Sequence, residues 1–252
     1  MAKTGTYEPR FYRNMMGNER WRDFRVCYKE TDLWVAVTGH MYSCEAESYT
    51  RERIHYYRDV INNHITMFPE FGSSLIPTGS HHYTHTLVKE MYEASDASET
   101  GPMSAVAGAI AEYVCRDLIS RFEFPEVVVE NGGDIYMSLC SPAVISIFAG
   151  SSPLSGKIGL NVPPSQTPLA ICCSSGTVGH SLSFGTADAA VIACHSGARA
   201  DAFATAFCNK VQNTEMVGGV VDLALKTADI LSVVIIKDDK VGMGGRLEVT
   251  LL

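Results

Sequence analysis

The sequence predicts an α+β fold in which mixed and antiparallel sheets pack against alanine-rich helices. Three observations carry this. Short apolar or alternating runs, cut by Pro, Gly and Ser, read as strands. Longer stretches repeat apolar residues at helical spacing. The two kinds come in blocks, without the strict β–α–β alternation of a doubly wound parallel sheet.

The elements follow in order. Residues 21–29 alternate Phe24, Val26 and Tyr28, and 33–38 is apolar and β-branched. With Glu30-Thr31-Asp32 between them, they predict a hairpin. Ile54, Tyr57, Ile61 and Ile65 set a helix over 47–66, ended by Pro69-Glu70-Phe71-Gly72. A polar loop, 77–84, precedes a second helix over 85–97. Thr100-Gly101-Pro102 then reads as a helix start, with Pro in the first turn. The helix behind it, 103–122, carries Ala105, Ala107, Gly108, Ala109 and Ala111, so another backbone can approach it closely.

Strands are expected over 126–130, 135–139, 144–149, 157–162, 169–173 and 189–195. A second alanine-rich helix spans 198–213, and 217–227 reads as helical. Residues 231–237 and 246–251, with a turn at Asp238-Asp239, close the chain as antiparallel strands. The two alanine-rich helices, each beside strands, are compatible with an internal duplication. No linker-like stretch interrupts the 252 residues, so 1–252 is expected to form one domain.

Composition excludes several functions. The formal charge is −8 and no Lys/Arg run reverses it locally, which argues against nucleic acid as a partner. Apolar runs are too short to span a membrane, and the first residues lack a signal core, so a cytoplasmic protein is expected. The eight cysteines are irregularly spaced and form no CxxC, which favours reduced, mostly buried thiols. Small-residue helices pack equally well within a chain or between chains, so a homo-oligomer is compatible with the sequence.

Several stretches have the residues for chemistry, each beside a plainer reading. Asp201 and Thr205 stand at i and i+4 and share a helix face. Carboxylate plus hydroxyl suits Mg²⁺; a negative charge in a first helical turn also serves the helix dipole. Glu130-Asn131-Gly132-Gly133-Asp134 lets a ligand approach closely, or makes a tight hairpin. Ser174-Ser175-Gly176-Thr177 follows a strand and could form an anion nest. A Ser175/His180/Asp188 triad can be written, though no G-x-S-x-G elbow occurs. His81, His82 and His85 could hold a transition metal, or be surface histidines. Cys172-Cys173, with Cys194 nearby, could be redox-active, or be small buried hydrophobes.

Four blocks taken together carry a resemblance: "GPMSAVAGAIAE" (101–112), "VENGGDIY" (129–136), "SSGTVGHSLSFGTADA" (174–189) and "RADAFATAFCN" (199–209). They resemble the signature blocks of the UPF0280 family, and "KETDLWV" (29–35) and "FPEFGSSLIP" (68–77) fit it too. That family is in turn similar to the ApbE superfamily of flavin transferases, which bind FAD and Mg²⁺ and attach FMN to a Thr or Ser of a target protein. The resemblance implies an ApbE-like fold. It implies Asp201 and Thr205 on the metal. It places Asn131, Gly132, Gly133, Asp134, Ser174, Ser175, Gly176 and Thr177 near the cofactor, with Gly101 before the first alanine-rich helix. It matches His180 to a downstream His, the expected general base, since imidazole titrates near neutral pH.

This sequence departs from the transferases at two places. Their His-x-x-Asp-Pro is here His180-Ser181-Leu182-Ser183-Phe184. Their lysine before the first alanine-rich helix is missing from Glu99-Thr100-Gly101-Pro102-Met103-Ser104. The leading expectation is Mg²⁺-dependent binding of FAD or another phosphate-bearing nucleotide, with FMN or nucleotidyl transfer. The alternative implied by the resemblance is a non-catalytic protein partner in anaerobic sulfur assimilation or homocysteine formation. A serine hydrolase using Ser175 is the third.

Overall fold

The computed structural model describes residues 20–79, 83, 85–178 and 183–252. It has three layers. The middle layer is an eight-stranded sheet made of β1 (Trp21–Tyr28), β2 (Thr31–Thr38), β3 (Val127–Asn131), β4 (Asp134–Ser138), β7 (Leu169–Ser174), β8 (Ala189–Cys194), β9 (Ser232–Lys237) and β10 (Lys240–Gly245), hydrogen-bonded in that order. Every neighbouring pair in it is antiparallel.

One face is covered by α1 (Cys44–Met67), α3 (Thr86–Ser98), α4 (Val106–Phe122), α5 (Gly197–Lys210) and α6 (Val217–Ala224), with the short α2 (Pro69–Ser73) beside them. The other face packs on a second sheet, ordered β11 (Glu248–Leu251), β6 (Ile158–Val162), β5 (Ala143–Ser146).

Period-two alternation divides the strands between two cores. Leu33, Val35, Val37, Val127, Val129, Tyr136, Ala170, Cys172, Ala190 and Ile192 face the helices. Trp34, Ala36, Val128, Ile135, Met137, Leu169, Ile171, Val191 and Val234 face the small sheet. Burial on both faces explains why these strands read as apolar runs.

The α+β class with antiparallel sheets is as the sequence predicts. The eight strands fall into two runs, β1–β4 and β7–β10, each a hairpin, then helices, then a hairpin. That repeated order is what two related halves would give. Two element expectations need correction. The turn at Asp238-Asp239 joins β9 to Lys240–Gly245, a stretch too rich in glycine to signal a strand. The final strand leaves that hairpin and pairs with β6 in the other sheet. The start of the first alanine-rich helix is a separate 3-10 turn, Pro102–Ala105.

Candidate functional site

The site lies at one end of the large sheet, under the first turns of α4 and α5. The same alternation that sends Val129, Tyr136 and Cys172 toward the helices sends Asn131, Asp134 and Ser174 there. Gly132 and Gly133, both at positive φ (74° and 107°), make the two-residue turn between β3 and β4. It is the hairpin that Asn-Gly signals, and it also brings Asn131 and Asp134 side by side. Asn131 Nδ2 donates to Ala107 O (3.1 Å). Gly133 N–H donates to Glu130 Oε1 (2.7 Å).

Above this strand end, α4 and α5 cross at two glycines. A Cβ on Gly108 would lie 2.2 Å from Gly197 O, and one on Gly197 would lie 2.3 Å from Gly108 O. Only glycine allows that approach. The crossing is reciprocal in hydrogen bonds. Gly108 N–H donates to Asp201 Oδ2 (2.9 Å), and Gly197 N–H donates to Glu112 Oε2 (2.6 Å).

Asp201 comes down from α5 close to Asp134 from β4, whose Oδ1 accepts from Cys173 N–H (3.3 Å). Both carboxylates are buried. Desolvation pushes Asp201 up to about 7. Burial, and then the charge of Asp201, push Asp134 well above the usual carboxylate range. Glu130 adds a further negative charge beside Asp134. Thr205 is half-buried, one turn beyond Asp201 on α5. Among the described residues, no three His, Cys, Asp or Glu side chains gather as a metal-binding cluster.

The segment after β7 is tied to itself. Ser175 Oγ accepts from Thr177 N–H (3.1 Å) and Val178 N–H (3.0 Å), and Gly176 N–H donates to Ala187 O (2.9 Å). Of the amides expected to form an anion nest, those of Gly176 and Thr177 are thus engaged within the protein. Thr177 Oγ1 donates to Asp188 Oδ1 (2.9 Å), and Asp238 N–H donates to Asp188 Oδ2 (2.6 Å). Asp188 has both oxygens occupied by structural partners, and His180 lies outside the described residues.

Gly101 caps the 3-10 turn, and a Cβ there would lie 1.9 Å from Ser74 O. Close packing against Ser74 requires glycine there. His81 and His82 lie outside the described residues, while His85 Nδ1 accepts from Leu87 N–H (3.0 Å) and caps α3. Burial raises the Cys172 thiol well above its usual value and pushes Cys173 up to about 12, so both are poor nucleophiles. Cys172 is a small buried side chain and Cys173 beside it is half-buried.

Glu112 was not visible as a site residue from the sequence. The signal that finds it is a repeated spacing, Gly108-x-x-x-Glu112 and Gly197-x-x-x-Asp201, in the two alanine-rich helices. Two shallow grooves lie elsewhere on the described surface, one lined by Phe203, Ala206 and Phe207 and both touching Lys210 and Leu223. At 3.6 residues per turn that is the side of α5 away from Asp201 and Thr205.

The fold defines the class: this is the architecture of the ApbE proteins. The flavin transferase ApbE of Vibrio cholerae superposes with a TM-score of 0.59 over 89% of this chain and 96% of that one, at 12% identity. The ApbE protein of Thermotoga maritima gives 0.52 over 90% and 96%, at 13% identity. At such identities the likeness is one of fold. The chain itself belongs to the UPF0280 family, and residues 13–227 match the family model described as AbpE bacteria. UPF0280 protein MJ1526 of Methanocaldococcus jannaschii is 32% identical over 233 residues, 90% of this chain and 92% of that one. UPF0280 protein MK0206 of Methanopyrus kandleri is 34% identical over 229 residues, 88% and 90% of the two chains.

Proposed function

We propose that this protein binds FAD or a related phosphate-bearing nucleotide together with Mg²⁺, at the sheet end where Asp134 and Asp201 meet, and that it transfers a flavin or nucleotidyl group from it. The observation that carries the reading is the carboxylate pair. Two buried acids from different elements face each other, and the charges that act most on Asp134 are both negative. Holding such a pair costs stability, and a bound divalent cation offsets that cost.

The donors fit a hard cation. Asp201 takes the Gly108 amide on Oδ2 and the Ala107 amide on the same carboxylate, whose oxygens keep further lone pairs for a cation. Thr205 adds a hydroxyl one turn away, and Mg²⁺ takes few protein ligands, keeping waters and phosphates. Mg²⁺ supplies neutralisation of pyrophosphate charge. The remaining work falls to the chain. Asp201 and Thr205 hold the ion. The side-chain-free turn at Gly132-Gly133 leaves room for the ligand beside Asn131 and Asp134. Ser174, Ser175, Gly176, Thr177 and Gly101 are given to the ligand by resemblance. His180 takes the proton of an acceptor hydroxyl as general base, the hydroxyl oxygen bonds the transferred phosphorus, and the pyrophosphate P–O bond breaks to release the other half of the dinucleotide as a monophosphate.

The relationship to proteins named as flavin transferases supports this reading. The test is calorimetric titration with FAD, FMN and ATP, with and without Mg²⁺. Wild-type protein is expected to bind FAD only with Mg²⁺, and Asp201→Ala to weaken that binding at least about tenfold. Undiminished binding by Asp201→Ala overturns the metal assignment. Absence of binding by the wild type overturns the function.

A further inference from the structure

We propose that Glu112 is a positioning residue for this site: it fixes the first turn of α5 against α4, and so holds Asp201 in place. The inference rests on Asp201 being the metal-holding carboxylate.

The argument starts from what each helix start needs. The first turn of a helix carries unpaired N–H groups, usually satisfied by a side chain just before it. Helix α5 has such a cap, since Ser196 Oγ accepts from Arg199 N–H (3.4 Å). Glu112 is therefore not needed as a generic cap. It takes one particular amide, that of Gly197, at the point where the two backbones touch. Helix α4 has no cap from its own preceding residue. Its first-turn amide at Gly108 is taken instead by Asp201.

Each acid thus grips the other helix four residues after its own contact glycine. A slide of α5 by one residue, about 1.5 Å, would break both bonds at once. Glu112 is itself held from two further directions. Its other oxygen pairs with Arg116, and the Tyr136 hydroxyl on β4 donates to it. Tyr136 is two residues from Asp134 on the same face of the sheet. One carboxylate, only 1% exposed, therefore ties α4, the start of α5 and the strand bearing Asp134.

The test compares two variants using Mn²⁺ alone as the probe, read by calorimetry, with melting of the metal-free protein measured alongside. Glu112→Gln keeps an oxygen at the right reach for Gly197 and is expected to bind Mn²⁺ like the wild type. Glu112→Asp keeps the charge but withdraws it by one methylene, and is expected to bind roughly tenfold more weakly while remaining folded. Rescue by the amide but not by the shorter acid is the signature of positioning. Equal Mn²⁺ affinity in the wild type and Glu112→Asp overturns the inference and leaves the metal site standing. A wild type that takes up no Mn²⁺ removes the metal site and this inference with it. If Glu112→Asp does not fold, Arg116→Met serves in its place, because it frees Glu112 from the partner that steers it. Weaker Mn²⁺ binding is then expected, and unchanged binding overturns the inference.

Discussion

Asp134 shows how far a single side chain can be understood from its surroundings. Strand alternation turns it toward the helices, and the pairing of Ile135 with Ile171 sets it beside Cys172. Burial and two negative neighbours then oppose its ionisation. Removing that charge should relieve the ligand-free protein and disable the proposed site together. Asp134→Asn is accordingly expected to raise the melting temperature above the wild type at pH 8 in the presence of a chelator. It is also expected to lose the stabilisation that Mg²⁺ with FAD gives the wild type. Thermal unfolding under both conditions checks this. A lower melting temperature in chelator would mean that the Asp134 carboxylate stabilises the empty fold.

At the scale of elements, the α4–α5 crossing decides where the site's residues go. In an ordinary helix, Gly→Ala gains about 1 kcal/mol from propensity. Here a Cβ on residue 108 would meet the carbonyl of Gly197, which is backbone and cannot swing aside. The propensity gain is outweighed by overpacking of about 1–3 kcal/mol and by the strained bonds to Glu112 and Asp201. Gly108→Ala and Gly197→Ala are each expected to lower unfolding free energy by roughly 1–3 kcal/mol in urea titrations. Gly218→Ala, where a Cβ meets nothing, should be neutral or stabilising. Equal behaviour of all three would remove the crossing as a determinant of stability.

The longer helices were legible in the sequence because their apolar spacing is local, whereas Pro69–Ser73, read as the stretch that ends α1, forms the short helix α2. The 47–66 pattern finds α1, and Gly101-Pro102 marks the turn before α4. The Asp201/Thr205 pair was legible for the same reason, since i and i+4 need only one helix. The crossing was not, because Gly108 and Gly197 meet across 89 residues of chain and nothing local pairs them. β10 was missed because its glycines serve α6: a Cβ on Gly242 would meet Val217, and one on Gly244 would meet Leu225. Tertiary packing overrode strand propensity there.

Over the whole molecule, the buried acids make stability depend on pH in two opposite ways. Burial pushes Glu112 up to about 7, and Asp201 likewise. A carboxyl that keeps its proton in the folded chain but gives it up near the ordinary range when unfolded favours folding most at low pH. Its contribution falls as pH rises from about 4.5 to about 7, by up to about 1.4 kcal/mol per pH unit for each proton. Glu126 works the other way. The hydrogen bond from the Arg20 side chain draws it down to about 2, so its contribution is full above the ordinary carboxylate range and is lost as pH drops toward 2. The two trends leave a maximum between them. The metal-free protein is expected to be most stable near pH 4.5 to 5, with the melting temperature declining toward pH 7 and also toward pH 2. Glu112→Gln cannot ionise and should flatten the decline toward neutrality, while Glu126→Gln should flatten the acid side only. Melting curves of the three proteins across this range, in chelator, separate the two arms. If Glu112→Gln loses stability toward neutral pH as steeply as the wild type, the buried carboxyl at the helix crossing is not what sets that slope.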